Sequence, residues 1–293
     1  MTALRVRGNG LDIAVSMAGL NRTEAGSDPA IDDGVPIVFI HGFSHDRHVW
    51  EDVLCGLPEA LAPLTLDLRG HGESDWALAG SYRPEDYASD LAPVLDALSV
   101  ERAIVVGHSL GGNVATLFAA AQPDRVSALV LVDTGPALSG DAWQAVSGDV
   151  ASAMGCFDDI ASYRRLLSLA YPFGRGEALD RLARTGLVQR LDGRFEPKLD
   201  PLIVERTGTD DDWVETESAL WAALGKLQCP TLVVRGEQSA MLSEAVARQM
   251  VENVLAHGTA ASVERAGHAI AVDNAIGLSE AIATFVDEQV LTR

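Results

Sequence analysis

Short runs rich in Val, Ile and Leu recur along the chain, and segments with helical spacing separate them. The runs cover residues 11–17, 35–40, 63–67, 103–106, 128–133, 231–234 and 261–265. Continuous apolar runs of this length that alternate with helices are typical of strands buried on both faces of a parallel sheet. The pattern therefore predicts an α/β fold with a mostly parallel sheet and helices on both faces.

The pattern changes between residues 137 and 226, where the Val- and Ile-rich runs disappear and Gly or Pro divides the segment into several short helices. Aromatic residues are scattered through this segment: Trp143, Phe157, Tyr163, Tyr171, Phe173, Phe195, Trp213 and Trp221. The change predicts a helical cap, 137–226, inserted between the two parts of a core domain, 1–136 and 227–293. We expect most of the aromatics to pack inside the cap and a few to line an apolar pocket. Residues 21–34 are polar and contain glycine, which predicts a loop.

Composition agrees with a globular protein of one domain with an insertion: 293 residues, 47% hydrophobic and 22% charged. The net charge is -20, from 42 acidic and 22 basic residues. Such a charge repels phosphate backbones and anionic lipid, so nucleic acid and membrane surfaces are not expected as partners. Charged residues also interrupt the first twenty positions, which argues against a signal peptide, and no run reaches membrane-spanning length.

The three cysteines, Cys55, Cys156 and Cys229, are far apart in the sequence. They form no C-x-x-C pair and no Cys/His cluster, so neither a disulfide framework nor a zinc site is indicated. Reduced thiols and a cytoplasmic location are the interpretation that fits best, with no metal.

The candidate chemistry is concentrated where residues 103–112 read Ala-Ile-Val-Val-Gly-His-Ser-Leu-Gly-Gly. A β-branched run leads into Gly107-x-Ser109-x-Gly111, and an Ala-rich helical segment follows. This is the pattern of a nucleophile elbow, in which a sharp strand-to-helix turn exposes the serine hydroxyl at the top of a sheet. The glycines are needed because neighbouring chain comes too close to the turn to tolerate side chains.

Three further stretches occur in order with the elbow: Phe39-Ile-His41-Gly42-Phe43, the segment Asp67-Leu-Arg69-Gly-His71-Gly-Glu-Ser74, and Ala266-Gly267-His268. With them the chain resembles the cap-bearing members of the α/β-hydrolase superfamily, which include esterases, C–C bond hydrolases and cofactor-free haloperoxidases. The resemblance covers nearly the whole chain and is weakest in the cap. It implies a catalytic machinery that needs no cofactor.

The resemblance also implies roles for individual residues. Ser109 would be the nucleophile and His268 the base that takes its proton. The backbone N–H groups of Phe43 and Leu110 would form the oxyanion hole. His41, His71 and His108 occupy positions that serve packing and turns in the family. His45, Asp46 and His48 follow the oxyanion loop and could reach the pocket, but the default expectation for them is a solvent-facing loop.

The acid that should orient His268 is missing from its usual position in the family, which here is Ala240. Asp133, at the end of the preceding core strand, is our first choice, since some members of the superfamily place the acid there. Glu237, three residues before the gap, is the second choice. A Ser–His dyad, or a substitution that replaced an original aspartate, are the remaining alternatives.

The leading hypothesis is a serine hydrolase that cleaves an ester, a lactone or an activated C–C bond of a small to medium apolar molecule. A serine at the elbow argues against epoxide hydrolases and dehalogenases, which resemble this fold but use aspartate there. A cofactor-free dioxygenase is an alternative, because residues 41–46 resemble that class and it takes its acid from the Asp133 position. A non-hydrolytic ligand-binding protein is a further alternative, motivated by Ala240. Oligomeric state stays open.

Overall fold

The computed structural model describes residues 1–17, 34–78, 80–137, 155–206 and 210–292. Predictions for Trp143, for the loop at 21–33 and for the rest of residues 138–154 and 207–209 lie outside the described residues, as does the side chain of Trp213.

The described residues form one sheet of eight strands and a separate hairpin. The sheet strands are β1 (Thr2–Gly8), β2 (Leu11–Met17), β3 (Val35–Ile40), β4 (Leu61–Leu66), β5 (Ala103–His108), β6 (Val126–Val132), β9 (Thr231–Gly236) and β10 (Gly258–Val263). Their order is β1-β2-β4-β3-β5-β6-β9-β10. The six strands from β4 to β10 are mutually parallel, and β1 and β2 add an antiparallel edge. The predicted α/β fold is therefore confirmed. Sequence reasoning missed β1, where Arg5 and Arg7 alternate with apolar residues.

Helices connect the strands and cover both faces. They are α1 (Glu51–Leu54), α2 (Pro84–Ala97), α3 (Leu110–Ala121), α4 (Ile160–Ala170), α5 (Gly176–Thr185), α6 (Pro201–Arg206), α7 (Asp210–Leu224), α8 (Glu244–Gln249), α9 (Ile270–Asp273) and α10 (Ala275–Val286). Short 3-10 turns lie at Arg47–Trp50 and Pro123–Arg125, and π-helical turns continue α8 at Met250–Val254 and α10 at Asp287–Leu291. No helix among the described residues has the length and apolar character needed to cross a membrane.

Strand β6 shows why both faces of the sheet need an apolar layer. Leu129 and Leu131 lie in the hydrophobic cluster on one face, which includes residues of α2 and α3. Val130 and Val132 lie in the cluster on the other face, together with residues of α9 and α10. Successive side chains of a strand point to opposite faces, so the apolar residues 128–132 of β6 are stable only between two apolar layers.

The chain leaves the sheet after β6 and returns as β9, directly beside β6. Within this insertion the described residues form α4 to α7 and a hairpin of β7 (Leu187–Gln189) and β8 (Phe195–Pro197). The hairpin differs from the all-helical expectation, and its paired segments are only three residues long. The domain boundaries 1–136, 137–226 and 227–293 stay a prediction.

Several aromatics of the insertion pack against one another, as expected. The Phe157 and Tyr163 rings are 4.9 Å apart, and the backbone of Phe157 pairs with that of Phe195. Tyr163 is buried, whereas Phe173 is exposed. Tyr171 is different, because its hydroxyl reaches His45 of the core domain at 2.9 Å.

Candidate active site

Ser109 lies in the turn between β5 and α3, with φ of 52° and ψ of -119°. A positive φ is strained for a residue with a side chain, and such strain persists only where surrounding contacts hold the backbone. Here the Ser109 N–H donates to Val132 O at 3.1 Å, and the Thr134 hydroxyl donates to Ser109 O at 2.9 Å. The end of β6 therefore holds the turn.

Positions 107 and 111 require glycine, because neighbouring backbone atoms leave no room for a Cβ there. A Cβ on Gly107 would lie 2.3 Å from Gly111 O, and a Cβ on Gly111 would lie 2.3 Å from Ile40 O. Both distances are far below van der Waals contact, and the blocking atoms belong to the sheet and the elbow itself. The predicted strand–turn–helix geometry is thus present.

Ser109, His268 and Asp133 are joined by two hydrogen bonds. His268 Nε2 lies 3.0 Å from Ser109 Oγ, and His268 Nδ1 lies 2.8 Å from Asp133 Oδ2. A carboxylate can only accept, so Nδ1 carries the proton and Nε2 is left to accept the proton of the serine hydroxyl. The first-choice residues for nucleophile, base and acid therefore lie in a single chain of hydrogen bonds.

The Asp133 side chain is fully buried and has donors on both oxygens. Gly236 N–H donates to Oδ1 at 3.0 Å, and the Ser239 hydroxyl donates to Oδ2 at 2.5 Å, the oxygen that also faces His268. The Asp133 backbone has φ of 45°, and its N–H donates to Val234 O at 2.7 Å. Burial of an ionised carboxylate requires such donors.

The turn after β9 places the Ser239 side chain, and not Ala240, next to the candidate acid. Ser239 is buried against Asp133, whereas Ala240 is exposed. Glu237, the second-choice acid, is exposed and accepts from the Arg265 N–H at 3.4 Å. Sequence reasoning missed Ser239; the available signal was a hydroxyl residue next to the missing acid.

The two backbone N–H groups predicted for the oxyanion hole belong to Phe43, after β3, and Leu110, the first residue of α3. Neither N–H donates to an acceptor within the part of the chain that the structure describes. Gly42 lets the two loops approach, since a Cβ there would lie 2.6 Å from His108 Nδ1 and 3.2 Å from Ser109 Cβ.

His41, His71 and His108 make the structural contacts that the family resemblance implied. His41 Nδ1–H donates to Gly42 O at 2.7 Å, and its Nε2 accepts from Leu68 N–H at 3.0 Å. His108 Nε2–H donates to His268 O at 2.8 Å, which supports the turn that carries His268. Burial is the main cause that lowers the pKa of all three below the ordinary range, so they are neutral at pH 7.

The default expectation of a solvent-facing loop is wrong for His45 and Asp46, whereas His48 is partly exposed and binds the exposed Glu51. Asp46 is buried and caps the following turn by accepting from His48 N–H at 2.9 Å. The His45 ring stacks on His108 with centroids 5.7 Å apart. Burial, together with the nearby His268, lowers the pKa of His45 to about 4. The loop lies against the core because the His45 imidazole packs on His108 and contacts Tyr171.

The stretch from Asp67 to Ser74 is held by hydrogen bonds and ion pairs to the core domain. Asp67 is fully buried and accepts from the Arg47 N–H at 2.6 Å and the Glu73 N–H at 2.8 Å, and it pairs with the Arg47 guanidinium. Arg69 binds both carboxylate oxygens of Asp90, at 2.7 and 2.5 Å. These ion pairs tie the turn to the rest of the core domain.

Comparison with known proteins agrees with this architecture. The sequence pattern of the α/β hydrolase fold family matches residues 35–275. A 2-(acetamidomethylene)succinate hydrolase from Mesorhizobium japonicum is 32% identical over 226 residues, which cover 77% of each chain. An esterase from Mycobacterium tuberculosis is 32% identical over 278 residues, which cover 92% of this chain and 89% of the esterase.

Solved structures give the same result. The crystal structure of E-2-(acetamidomethylene)succinate hydrolase superposes with a TM-score of 0.82 at 27% identity, covering 98% of this chain and 99% of the other. The esterase from Mycobacterium tuberculosis superposes with a TM-score of 0.75 at 28% identity, covering 98% of this chain and 91% of the other. With most of its length matched by the family pattern, the chain belongs to the α/β-hydrolase fold family, and these relatives are hydrolases.

Proposed function

We propose that the protein is a serine hydrolase that cleaves an ester, a lactone or an activated C–C bond through an acyl-enzyme. The observation that carries the proposal is the hydrogen-bonded series Ser109 Oγ, His268 Nε2, His268 Nδ1 and Asp133 Oδ2, with distances of 3.0 and 2.8 Å. A hydroxyl is a weak nucleophile until a positioned base removes its proton, and the base needs a carboxylate to hold its tautomer.

In the first half of the reaction, Ser109 Oγ bonds to the carbonyl carbon while His268 Nε2 takes the hydroxyl proton. The carbonyl electrons move onto oxygen, where the N–H groups of Phe43 and Leu110 donate to the developing charge. When the tetrahedral intermediate collapses, the bond to the leaving group breaks, and His268 gives that group its proton.

In the second half, a water molecule attacks the acyl carbon and His268 Nε2 takes a proton from the water. The ester bond to Ser109 then breaks, the acid product leaves, and the serine recovers its proton from His268. Asp133 stays ionised throughout and stabilises the imidazolium that forms in each half. No cofactor or metal is required by these steps.

The acyl substrate we propose is a small to medium apolar molecule, bound beneath a helical cap at 137–226. Tyr171 belongs to this insertion and reaches His45 beside the candidate site, which supports a substrate site between the two. The named relatives are a 2-(acetamidomethylene)succinate hydrolase and an esterase, which supports hydrolysis as the class of reaction. A cytoplasmic location stays a prediction.

The test is turnover of p-nitrophenyl acetate and butyrate, together with covalent labelling by a fluorophosphonate and mass analysis of the labelled peptide. We expect turnover, and a label on Ser109 that Ser109→Ala abolishes. An unlabelled, inactive wild-type chain would contradict the proposal. Oxygen uptake with an aromatic hydroxyl substrate, without ester turnover, would support the dioxygenase alternative instead.

A further inference from the structure

The turn between β9 and α8 carries a hydroxyl that touches the candidate acid but not the candidate nucleophile. Ser239 Oγ lies 2.5 Å from Asp133 Oδ2. The same carboxylate oxygen lies 2.8 Å from His268 Nδ1. Ser239 and His268 therefore share one acceptor atom. A change at the serine should alter the hydrogen bond between Asp133 and His268, which orients the imidazole.

The direction of the serine proton follows from its other contacts. Ser239 Oγ accepts the N–H of Met241 at 3.1 Å and that of Leu242 at 3.4 Å. These two donors use the lone pairs of the hydroxyl oxygen, so its single proton is left for Asp133 Oδ2. A hydrogen bond to a charged acceptor is stronger than one between neutral groups.

Arg235 holds this turn in place. Its guanidinium donates to three backbone carbonyls of the turn: Leu242 O at 2.7 Å, Glu237 O at 3.0 Å and Ser239 O at 3.0 Å. Because the turn is clamped from β9, the serine hydroxyl is fixed before any substrate binds. Fixed donors cost no reorganisation during a reaction.

We propose that Ser239 is a positioning residue. It holds the Asp133 carboxylate where this group accepts the hydrogen bond from His268 Nδ1, and it limits the basicity of the carboxylate. The inference rests on the proposed function, since it assigns a purpose to the contact only if His268 is the base. In this arrangement the acid comes from β6, and the turn after β9 contributes a hydroxyl that fixes it.

The alternative is that Ser239 only shapes its own turn. In that case Ser239→Ala would lower stability but leave reactivity and its pH dependence unchanged. The matched control is Ser243→Ala in the same segment, because the Ser243 hydroxyl accepts from Val246 N–H at 3.2 Å at the start of α8 and does not contact Asp133.

The experiment compares wild type, Ser239→Ala, Ser239→Thr and Ser243→Ala. Turnover of p-nitrophenyl butyrate separates kcat from KM, and the fluorophosphonate labelling rate reports on Ser109 without depending on the natural substrate. For Ser239→Ala we expect kcat and the labelling rate to fall about tenfold, the scale of one lost charge-assisted hydrogen bond, with KM within about twofold.

The pH profile should shift in a defined direction. Without the Ser239 hydroxyl, more negative charge remains on Asp133 Oδ2 to attract protonated His268. The acid limb of the labelling rate should therefore move to higher pH, by about one unit. The proton NMR resonance of His268 Nδ1–H should move as well, which provides a readout that does not require turnover.

If Ser239→Ala folds poorly, Ser239→Thr provides a second test. Ser239→Thr retains the hydroxyl and should restore labelling to within about threefold of wild type. Ser243→Ala should keep the wild-type rate and pH profile. Wild-type rate, profile and resonance in folded Ser239→Ala would overturn the inference. Absence of labelling in wild type would instead contradict the proposed function.

Discussion

Asp133 Oδ2 lies 2.8 Å from His268 Nδ1, although the two residues are 135 positions apart in the sequence. Asp133 follows β6, and His268 follows β10, two places along the sheet. Because the carboxyl ends of parallel strands meet at one edge, the sheet brings the two side chains together. The contact selects Asp133 over Glu237 as the candidate acid.

Asp133→Asn should lower kcat by about 10³- to 10⁴-fold, because an amide no longer fixes the required tautomer of His268 or stabilises its protonated form. Glu237→Gln should stay within about twofold of wild type, since that side chain is exposed and its bond to the Arg265 N–H is long, at 3.4 Å. Turnover of p-nitrophenyl esters by the purified variants measures both. Equal losses in the two variants would reject the assignment of the acid.

Gly111→Ala should destabilise the elbow by about 3 kcal/mol or more, since a rigid clash in a packed site cannot relax. The added Cβ would lie 2.3 Å from Ile40 O and 2.5 Å from His41 O, which are backbone atoms. Fluorophosphonate labelling should be lost in the same variant.

The control for this prediction is Gly225→Ala, where the nearest atoms to an added Cβ are carbonyl oxygens at 3.8 Å. Its unfolding free energy should change by less than about 1 kcal/mol. Denaturant unfolding of both variants measures the difference. A Gly111→Ala protein as stable and reactive as wild type would show that the elbow is not constrained as described.

Asp90→Asn should cost about 3 to 5 kcal/mol, because it leaves the buried Arg69 guanidinium without its charged partner. The side chains of this pair are 5% and 6% exposed. Glu244→Gln removes the partner of Arg248 from an exposed pair and should cost less than about 0.5 kcal/mol. Urea unfolding of the two variants measures the contrast, and similar costs would contradict it.

His71 should make stability depend on pH. Burial lowers its pKa to about 4 in the folded protein. Its ordinary value in an unfolded chain is about 6.5, so the unfolded state binds the extra proton first as pH falls. The contribution of neutral His71 to the free energy of unfolding is fully present above about pH 6.5. It is lost as the pH falls towards 4, and the loss amounts to at most about 3 kcal/mol.

The measurement is the unfolding free energy of wild type and His71→Asn at pH 7 and pH 4.5. The variant should lose less stability than wild type over this interval, whatever its stability at pH 7. His257→Asn is the matched control for the loss of an imidazole, because that side chain is exposed. A wild-type pH dependence in His71→Asn would contradict the prediction.

Much of the fold was determined locally in the sequence. The apolar runs are long enough for strands. Where both faces of a run are apolar, as at residues 128–132, two apolar layers are required, and the structure has them around β6. Gly107, Ser109 and Gly111 specified the elbow, because only this order of residues fits a strained turn against neighbouring backbone. The Gly267-His268 turn after the last strand was recognised from its resemblance to the family.

The tertiary structure decided the contacts between residues that are far apart in the sequence. The sequence left Asp133 and Glu237 as rivals, because both follow strands at the same edge of the sheet, and only the geometry brings one of them to His268 Nδ1. The sequence offered Ser239 only as a hydroxyl residue next to Ala240, and that hydroxyl gains a partner only because Asp133, which follows another strand, lies beside it. The inward position of His45 likewise arises from stacking on His108 and from a partner in the insertion, and no local pattern encodes either contact.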